Sequence, residues 1–255
     1  MNKKNKKYMK INKITPKQIE IILLLYKFRF LNTHQFKTLL KHKDIRRINS
    51  WLKDLNNKKI IFRIYSKKIG ENTKPAIYCL DSGSKKILQD HKEINKIFLN
   101  RVYKEKTRSK EFINHSLFIA SIYLNFLKLA ETNNSKFEFL TKTTLLDLFT
   151  DSYLTINNKE YLIEVWDKKE ADFVLRKKIK KLINHFIYGD WPHKNDKKFP
   201  TILLFCLNEK NKNYLNPFIT QVLIEEGNLK LSFLLTSLEI IKNEGLENIK
   251  WQALN

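Results

Sequence analysis

The chain has 255 residues, with 49 Lys and Arg against 26 Asp and Glu and a formal net charge of +23. That length accommodates two domains that each bury a core, and so large a basic excess speaks for a polyanionic partner, nucleic acid above all. Only two cysteines occur, which excludes a disulfide scaffold, and the six histidines show no metal-ligand spacing.

The opening MNKKNKKYMKINK is basic but is not followed by an apolar segment with a small-residue cleavage site, so it does not read as a signal peptide. The run Ile19 to Tyr26 is interrupted by Glu20 and flanked by Lys, and no apolar run approaches the roughly 20 residues of a membrane span. A cytoplasmic protein with no membrane partner is expected.

Thr15-Pro16 with Gln18 is a capped helix start, and Ile19, Ile22, Leu23, Leu25 and Tyr26 follow at helical spacing, predicting a helix from Thr15 to Phe28. Leu31 and Asn32-Thr33 introduce a second, short helix with Phe36, Leu39 and Leu40 on its apolar face. A third runs from Asp44 to Asn56 with Ile45, Ile48, Leu52 and Leu55 inward, leaving Arg46, Arg47, Asn49, Ser50 and Lys53 on the other face. Trp51 reads as partly buried. KIIFRIYSKK and AIYCL then flank a polar tip from Ile69 to Pro75, which is a hairpin carrying Arg63, Lys67, Lys68 and Lys74.

Three helices followed by a basic hairpin is the winged variety of helix-turn-helix, in which the third helix enters the major groove and the wing touches the backbone or minor groove. Double-stranded DNA is therefore the expected partner. After Asp81-Ser82-Gly83 one further helix is predicted from Ser84 to Thr107, either linking to the second domain, packing on it or mediating a homodimer.

The charge breaks at this point. Residues 1–108 carry 29 basic against 8 acidic side chains, a net of +21, whereas 109–255 carry 20 against 18, a net of +2. Lysine is spread along the whole chain, as AT-rich codons would spread it; only the first region leaves it unbalanced. This sets the domains at 1–108 and 109–255.

The second region reads as a long helix (EFINHSLFIASIYLNFLKLAE), a strand from Phe137 to Leu140, and two strands, Ser152 to Ile156 and Tyr161 to Trp166, joined at Asn157-Asn158. A helix from Ala171 to Tyr188 and the strand TILLFCL follow, then a helix from Tyr214 to Glu225, a strand LKLSFLL and a short terminal helix. Cys79 and Cys206 lie in apolar strands and are expected to be buried free thiols. The order helix, strand, strand, strand, helix, strand predicts a restriction-endonuclease-like α/β domain with a mixed central sheet, making the whole chain α+β.

Asp151 before the second strand and Glu164 within the third resemble the PD-(D/E)xK pattern, whose carboxylates hold Mg²⁺ against a scissile phosphate. Two departures stand out: no Pro precedes the Asp, and Trp166 occupies the place of the lysine, for which Lys168, Lys169 or Lys178 would have to substitute. Asp151 and Glu164 are thus the candidate metal ligands, and with Lys168 or Lys178 the candidate catalytic set, with Mg²⁺ required only if the site is active.

The chain as a whole resembles the replication-relaxation family of plasmid and integrative-element proteins. The resemblance rests on ITPKQIEIILLLYKFRFLNTHQF, RRINSWLKDLNNKKII, PAIYCLDSG, the HSLFIA helix, and TDSYL to YLIEVW with RKKIKKL after it, spanning residues 14–188. It implies DNA binding in plasmid replication, relaxation or mobilisation, with a relaxase or replication initiator as protein partner. His115 belongs to the matching helix and reads as a hydrogen-bonded core histidine. Three functions follow: a non-enzymatic DNA-binding accessory protein of a mobile element, a Mg²⁺-dependent endonuclease targeted by the winged helix, or a transcriptional regulator.

Overall fold

The computed structural model describes residues 14–65, 73–89, 91, 94–145, 148–167, 170–189, 199–227, 229, 231–246 and 251–254. The chain divides into two compact units, Met1–Thr107 and Arg108–Asn255.

In the first unit, helix α1 (Pro16–Phe28) starts in a reciprocal cap: Gln18 N–H donates to Thr15 Oγ1 at 3.3 Å and Thr15 N–H to Gln18 Oε1 at 2.9 Å. It ends at Arg29, held at φ 67 with its N–H bonded to the Leu25 carbonyl. Strand β1 (Phe30–Asn32) follows, then α2 (Thr33–Leu39), capped by Asn32, and α3 (Ile45–Asn57), whose Arg46 N–H is capped by Asp44. Strands β2 (Ile61–Ile64) and β3 (Ile77–Leu80) pair antiparallel, and β1 adds to the free side of β3, giving the order β1-β3-β2. β1 is too short at three residues to show a period-two pattern, so the sequence did not announce it. Ile21, Ile22, Leu25, Phe30, Phe36, Ile48, Leu52 and Leu55 are fully buried together.

The stretch after the sheet departs from expectation. In place of one helix from Ser84 to Thr107 there are short pieces: a 3₁₀ turn (Ser82–Ser84), α4 (Lys85–Leu88), α5 (Lys96–Asn100) and a 3₁₀ segment (Val102–Thr107). Asn95 restarts the helix by accepting from Ile97 and Phe98 N–H, while its own N–H donates to the Tyr26 hydroxyl at 2.7 Å. Leu88, Leu99 and Val102 are buried, and Glu105 forms a two-pronged pair with Arg29 at 2.9 and 2.5 Å. These pieces complete the core of the first unit.

The second unit opens with α6 (Lys110–Thr132) and a six-stranded mixed sheet in the order β4-β5-β6-β7-β8-β9: β4 (Phe137–Thr141), β5 (Ser152–Ile156), β6 (Lys159–Trp166), β7 (Thr201–Cys206), β8 (Phe233–Ser237) and β9 (Gln252–Leu254). Asn157 and Asn158, at φ 48 and 63, make the two-residue turn between β5 and β6. β6, β7 and β8 are parallel, linked by α7 (Asp172–Tyr188) and α8 (Glu209–Glu225), with α9 (Leu238–Glu244) after β8.

Leu162, Trp166, Ile202 and Leu204 pack under α7 and α8 with Leu175, Ile179 and Ile219. On the opposite side Phe126 of α6 meets Phe205 edge-on, and Tyr123 meets Phe137 and Phe139. Strand β7 is thus apolar from Ile202 to Cys206 because both its faces are covered. Both free thiols, Cys79 and Cys206, are buried.

Several elements differ from the sequence reading. α8 starts at Glu209, capped by Asn208, five residues before Tyr214; β8 is FLLTS, shifted toward the C-terminus from LKLSFLL; and β9 was not foreseen. Among the described residues α6 is long and apolar enough, by length and composition, to cross a membrane, although here its Ile113, Phe118, Ile122 and Phe126 are buried within the unit. No unbroken apolar run marks it because Asn114, His115, Ser121 and Asn125 interrupt it.

Candidate functional site

Two places concentrate chemistry, one in each unit. In the first, α3 turns Ile48, Leu52 and Leu55 inward and leaves Arg46, Arg47, Asn49, Ser50 and Lys53 exposed. The Arg47 guanidinium lies 5.7 Å from the centre of the half-buried Trp51 ring, which His42 meets edge-on. Arg63, exposed on β2, stacks over Tyr65 at 4.6 Å, while its backbone N–H is held by Asn56 Oδ1 at 3.0 Å. Lys74 is exposed as well. Lys67 and Lys68 lie outside the described residues.

The second is a cleft of about 470 Å³ whose lining includes His115, Lys142, Asp151, Glu164, Asp167 and Lys178. Asp151 lies one residue before β5 and extends its ladder with β6. Its N–H donates to the Ile163 carbonyl at 3.0 Å, and its Oδ2 accepts from Val165 N–H at 3.0 Å. Those bonds straddle Glu164, which is how two carboxylates thirteen residues apart in sequence reach one cleft. Lys142 Nζ donates to Asp151 Oδ1 at 2.8 Å. The imidazole of His115 bridges two acids, Nε2 lying 3.3 Å from Asp151 Oδ1 and Nδ1 3.3 Å from Asp167 Oδ2.

The electrostatics follow. Burial would lower the His115 pKa, but the hydrogen bonds to Asp151 and Asp167 prevail and raise it to about 9, so the ring is cationic at neutral pH. Burial would raise Asp151, yet His115 and Lys142 hold its carboxyl well below the ordinary range. Glu164 goes the other way: burial, reinforced by the Asp151 charge, pushes it up far enough to keep its proton near neutral pH. The Lys142 and Lys178 charges and the Trp166 indole pull it down again, but not enough to offset burial.

Trp166, where the family pattern has lysine, is a core side chain only 1% exposed. Its Nε1 has no hydrogen bond of normal geometry among the described residues, although the indole still helps to lower the Glu164 pKa. Lys178 reaches across from α7: its ammonium lies 5.5 Å from the Trp166 ring centre and pairs with Glu170 at 2.6 Å. Lys168 and Lys169 lie outside the described residues.

Of the side chains proposed from sequence, Asp151, Glu164 and Lys178 therefore share one cleft. Sequence reasoning missed Lys142, Asp167 and Glu170 and gave His115 a passive core role. Asp167 directly follows the IEVW strand and could have been found by position; Lys142 carries no signal, because only the fold brings its turn to Asp151.

The donor set does not suit a divalent ion. Mg²⁺ requires about six oxygens in octahedral array, at least one or two of them free carboxylate oxygens. Here both Asp151 oxygens are engaged, Oδ1 by Lys142 and His115 and Oδ2 by Val165 N–H, and among the described residues no group of three His, Cys, Asp or Glu converges on a metal position.

The sequence pattern of the replication-relaxation family matches residues 23–202. Among curated proteins none matches this sequence.

Proposed function

Because the chain belongs to the replication-relaxation family, we propose that it is a DNA-binding accessory protein of plasmid or integrative-element replication, relaxation or mobilisation, in which a winged helix in the first unit docks on duplex DNA. The observation that carries this reading is the outward face of α3, where Arg46, Arg47, Asn49, Ser50 and Lys53 are all exposed above a fully apolar inner face. A helix capped by Asp44 and backed by a three-stranded sheet presents these groups rigidly, as insertion into a major groove requires. The net charge of +21 on residues 1–108 supplies the attraction to phosphate.

The second unit reads as a PD-(D/E)xK-like scaffold that meets a relaxase or replication initiator, or a second copy of the chain. A second reading, a targeted endonuclease, is favoured by one observation: the Lys178 ammonium faces Trp166 and lines the cleft with Glu164, on the side where the pattern expects its lysine. The test of the main reading is binding of the full chain to duplex DNA carrying the origin or transfer region of its own element. Arg46→Ala with Arg47→Ala should abolish preference for that DNA over random duplex. Undiminished preference would remove α3 as the reading element.

A further inference from the structure

The cleft carries a cation of its own. Lys142 is presented by the turn that follows β4, and that turn is closed by its neighbours: Thr141 N–H donates to Thr144 Oγ1 at 2.8 Å, while Thr144 and Leu145 N–H donate to the Thr141 carbonyl at 2.9 and 2.8 Å. The hydroxyls of Thr141 and Thr143 are 2.9 Å apart and both side chains are buried. The lysine between them is thereby delivered to Asp151 Oδ1, the oxygen that His115 also approaches. The remaining oxygen, Oδ2, is occupied by the backbone of β6.

A lysine ammonium is a compact, strongly localised point charge, the closest a side chain comes to a bound ion. It compensates the buried carboxylate as an ion would, without the geometric demands of magnesium.

We infer that Lys142, seconded by His115, takes the place beside Asp151 that the PD-(D/E)xK pattern would give a divalent ion, and that the cleft holds its carboxylates without metal. This concerns the second unit alone and does not rest on DNA binding by the first.

The consequence is a gain of metal binding on removal of the lysine. In the full chain, Mn²⁺ titrations followed by electron paramagnetic resonance of the free ion should show no saturable binding at Asp151 in the wild type. Lys142→Met and Lys142→Gln should each create one saturable site, at least about tenfold tighter than the weakest binding the wild-type titration would detect, lost again when Asp151→Asn is added. Both variants are expected to fold, since the Lys142 side chain is 53% exposed; circular dichroism verifies this. Saturable wild-type binding that Asp151→Asn removes would overturn the inference whatever the variants do. So would two folded Lys142 variants that still bind no Mn²⁺, because the lysine would then not be what occupies the ion's place.

Discussion

His115 is held between Asp151 and Asp167, and together with Asp151 and Glu164 it sets the pH behaviour of the cleft. Its folded pKa of about 9 lies above the ordinary 6.5. The stability it contributes is therefore complete below about pH 6.5 and is lost as pH rises through 9. Asp151 is depressed, so its share is present above its ordinary value near 3.8 and is lost as pH falls. The expected outcome is an imidazolium NMR signature for His115 through pH 8, and a thermal midpoint that declines between pH 6.5 and 9 less steeply in His115→Gln. A ring that titrates near 6.5 would contradict the bridged geometry. The same residues bear on cleavage. With both Asp151 oxygens already engaged and a core indole, Trp166, where the pattern needs a cation, no cleavage of supercoiled or linear DNA is expected with Mg²⁺ or Mn²⁺. Metal-dependent nicking that vanishes in both Asp151→Ala and Glu164→Ala would promote the endonuclease reading, and Lys168, Lys169 and Lys178 should then be replaced singly.

At the scale of elements, α1 and the segment after the sheet are joined by an ion pair as well as by the Tyr26 hydroxyl. Arg29 adopts a left-handed backbone to end α1 and turns its guanidinium toward Glu105, itself 1% exposed, while also lying 5.3 Å from the Phe98 ring centre. Removing the acid leaves a largely buried cation without its partner. Glu105→Ala should cost roughly 2 to 3 kcal/mol in denaturant unfolding, somewhat below the range for fully buried pairs because Arg29 keeps some solvent contact. A loss under about half a kcal/mol would mean the pair behaves as an exposed one. α3 and the sheet should divide the work of DNA binding. Asn49→Ala on α3 should erode sequence preference by roughly 1 to 3 kcal/mol if it meets a base edge. Lys74→Ala should instead weaken binding to all duplexes alike, as loss of a phosphate contact does. Competition between specific and random duplex reads the difference, and equal losses for both variants would dissolve the distinction.

For the whole molecule, the charge asymmetry predicts where affinity resides. Residues 1–108 should retain duplex binding when produced alone, since they hold nearly all the net charge and a core of their own. A slope of log affinity against log salt near −0.9 per phosphate contacted is expected for both this fragment and the full chain. Binding confined to residues 109–255, or indifferent to salt, would refute the assignment.

Local signals in the sequence were enough to locate most elements. Thr15-Pro16 with Gln18, Asn157-Asn158 and the apolar TILLFCL each carry their structure within a few residues, because caps, left-handed turns and doubly covered strands are decided by near neighbours. Asp151 and Glu164 were legible as a pair for the same reason, being joined by one hairpin. What only the tertiary structure decided is what surrounds them. Lys142 lies nine residues from Asp151, His115 on another helix, Asp167 beyond the strand and Lys178 on α7. No spacing rule brings Lys142 and His115 to the pair, although Asp167 follows from its position and Lys178 was a sequence candidate, and all these charges acquire their meaning only once burial weakens solvent screening around the cleft. The breaking of the segment after the sheet into short pieces has the same origin: its helical pattern is real, but the Tyr26 hydroxyl and Arg29, distant in sequence, determine where it turns.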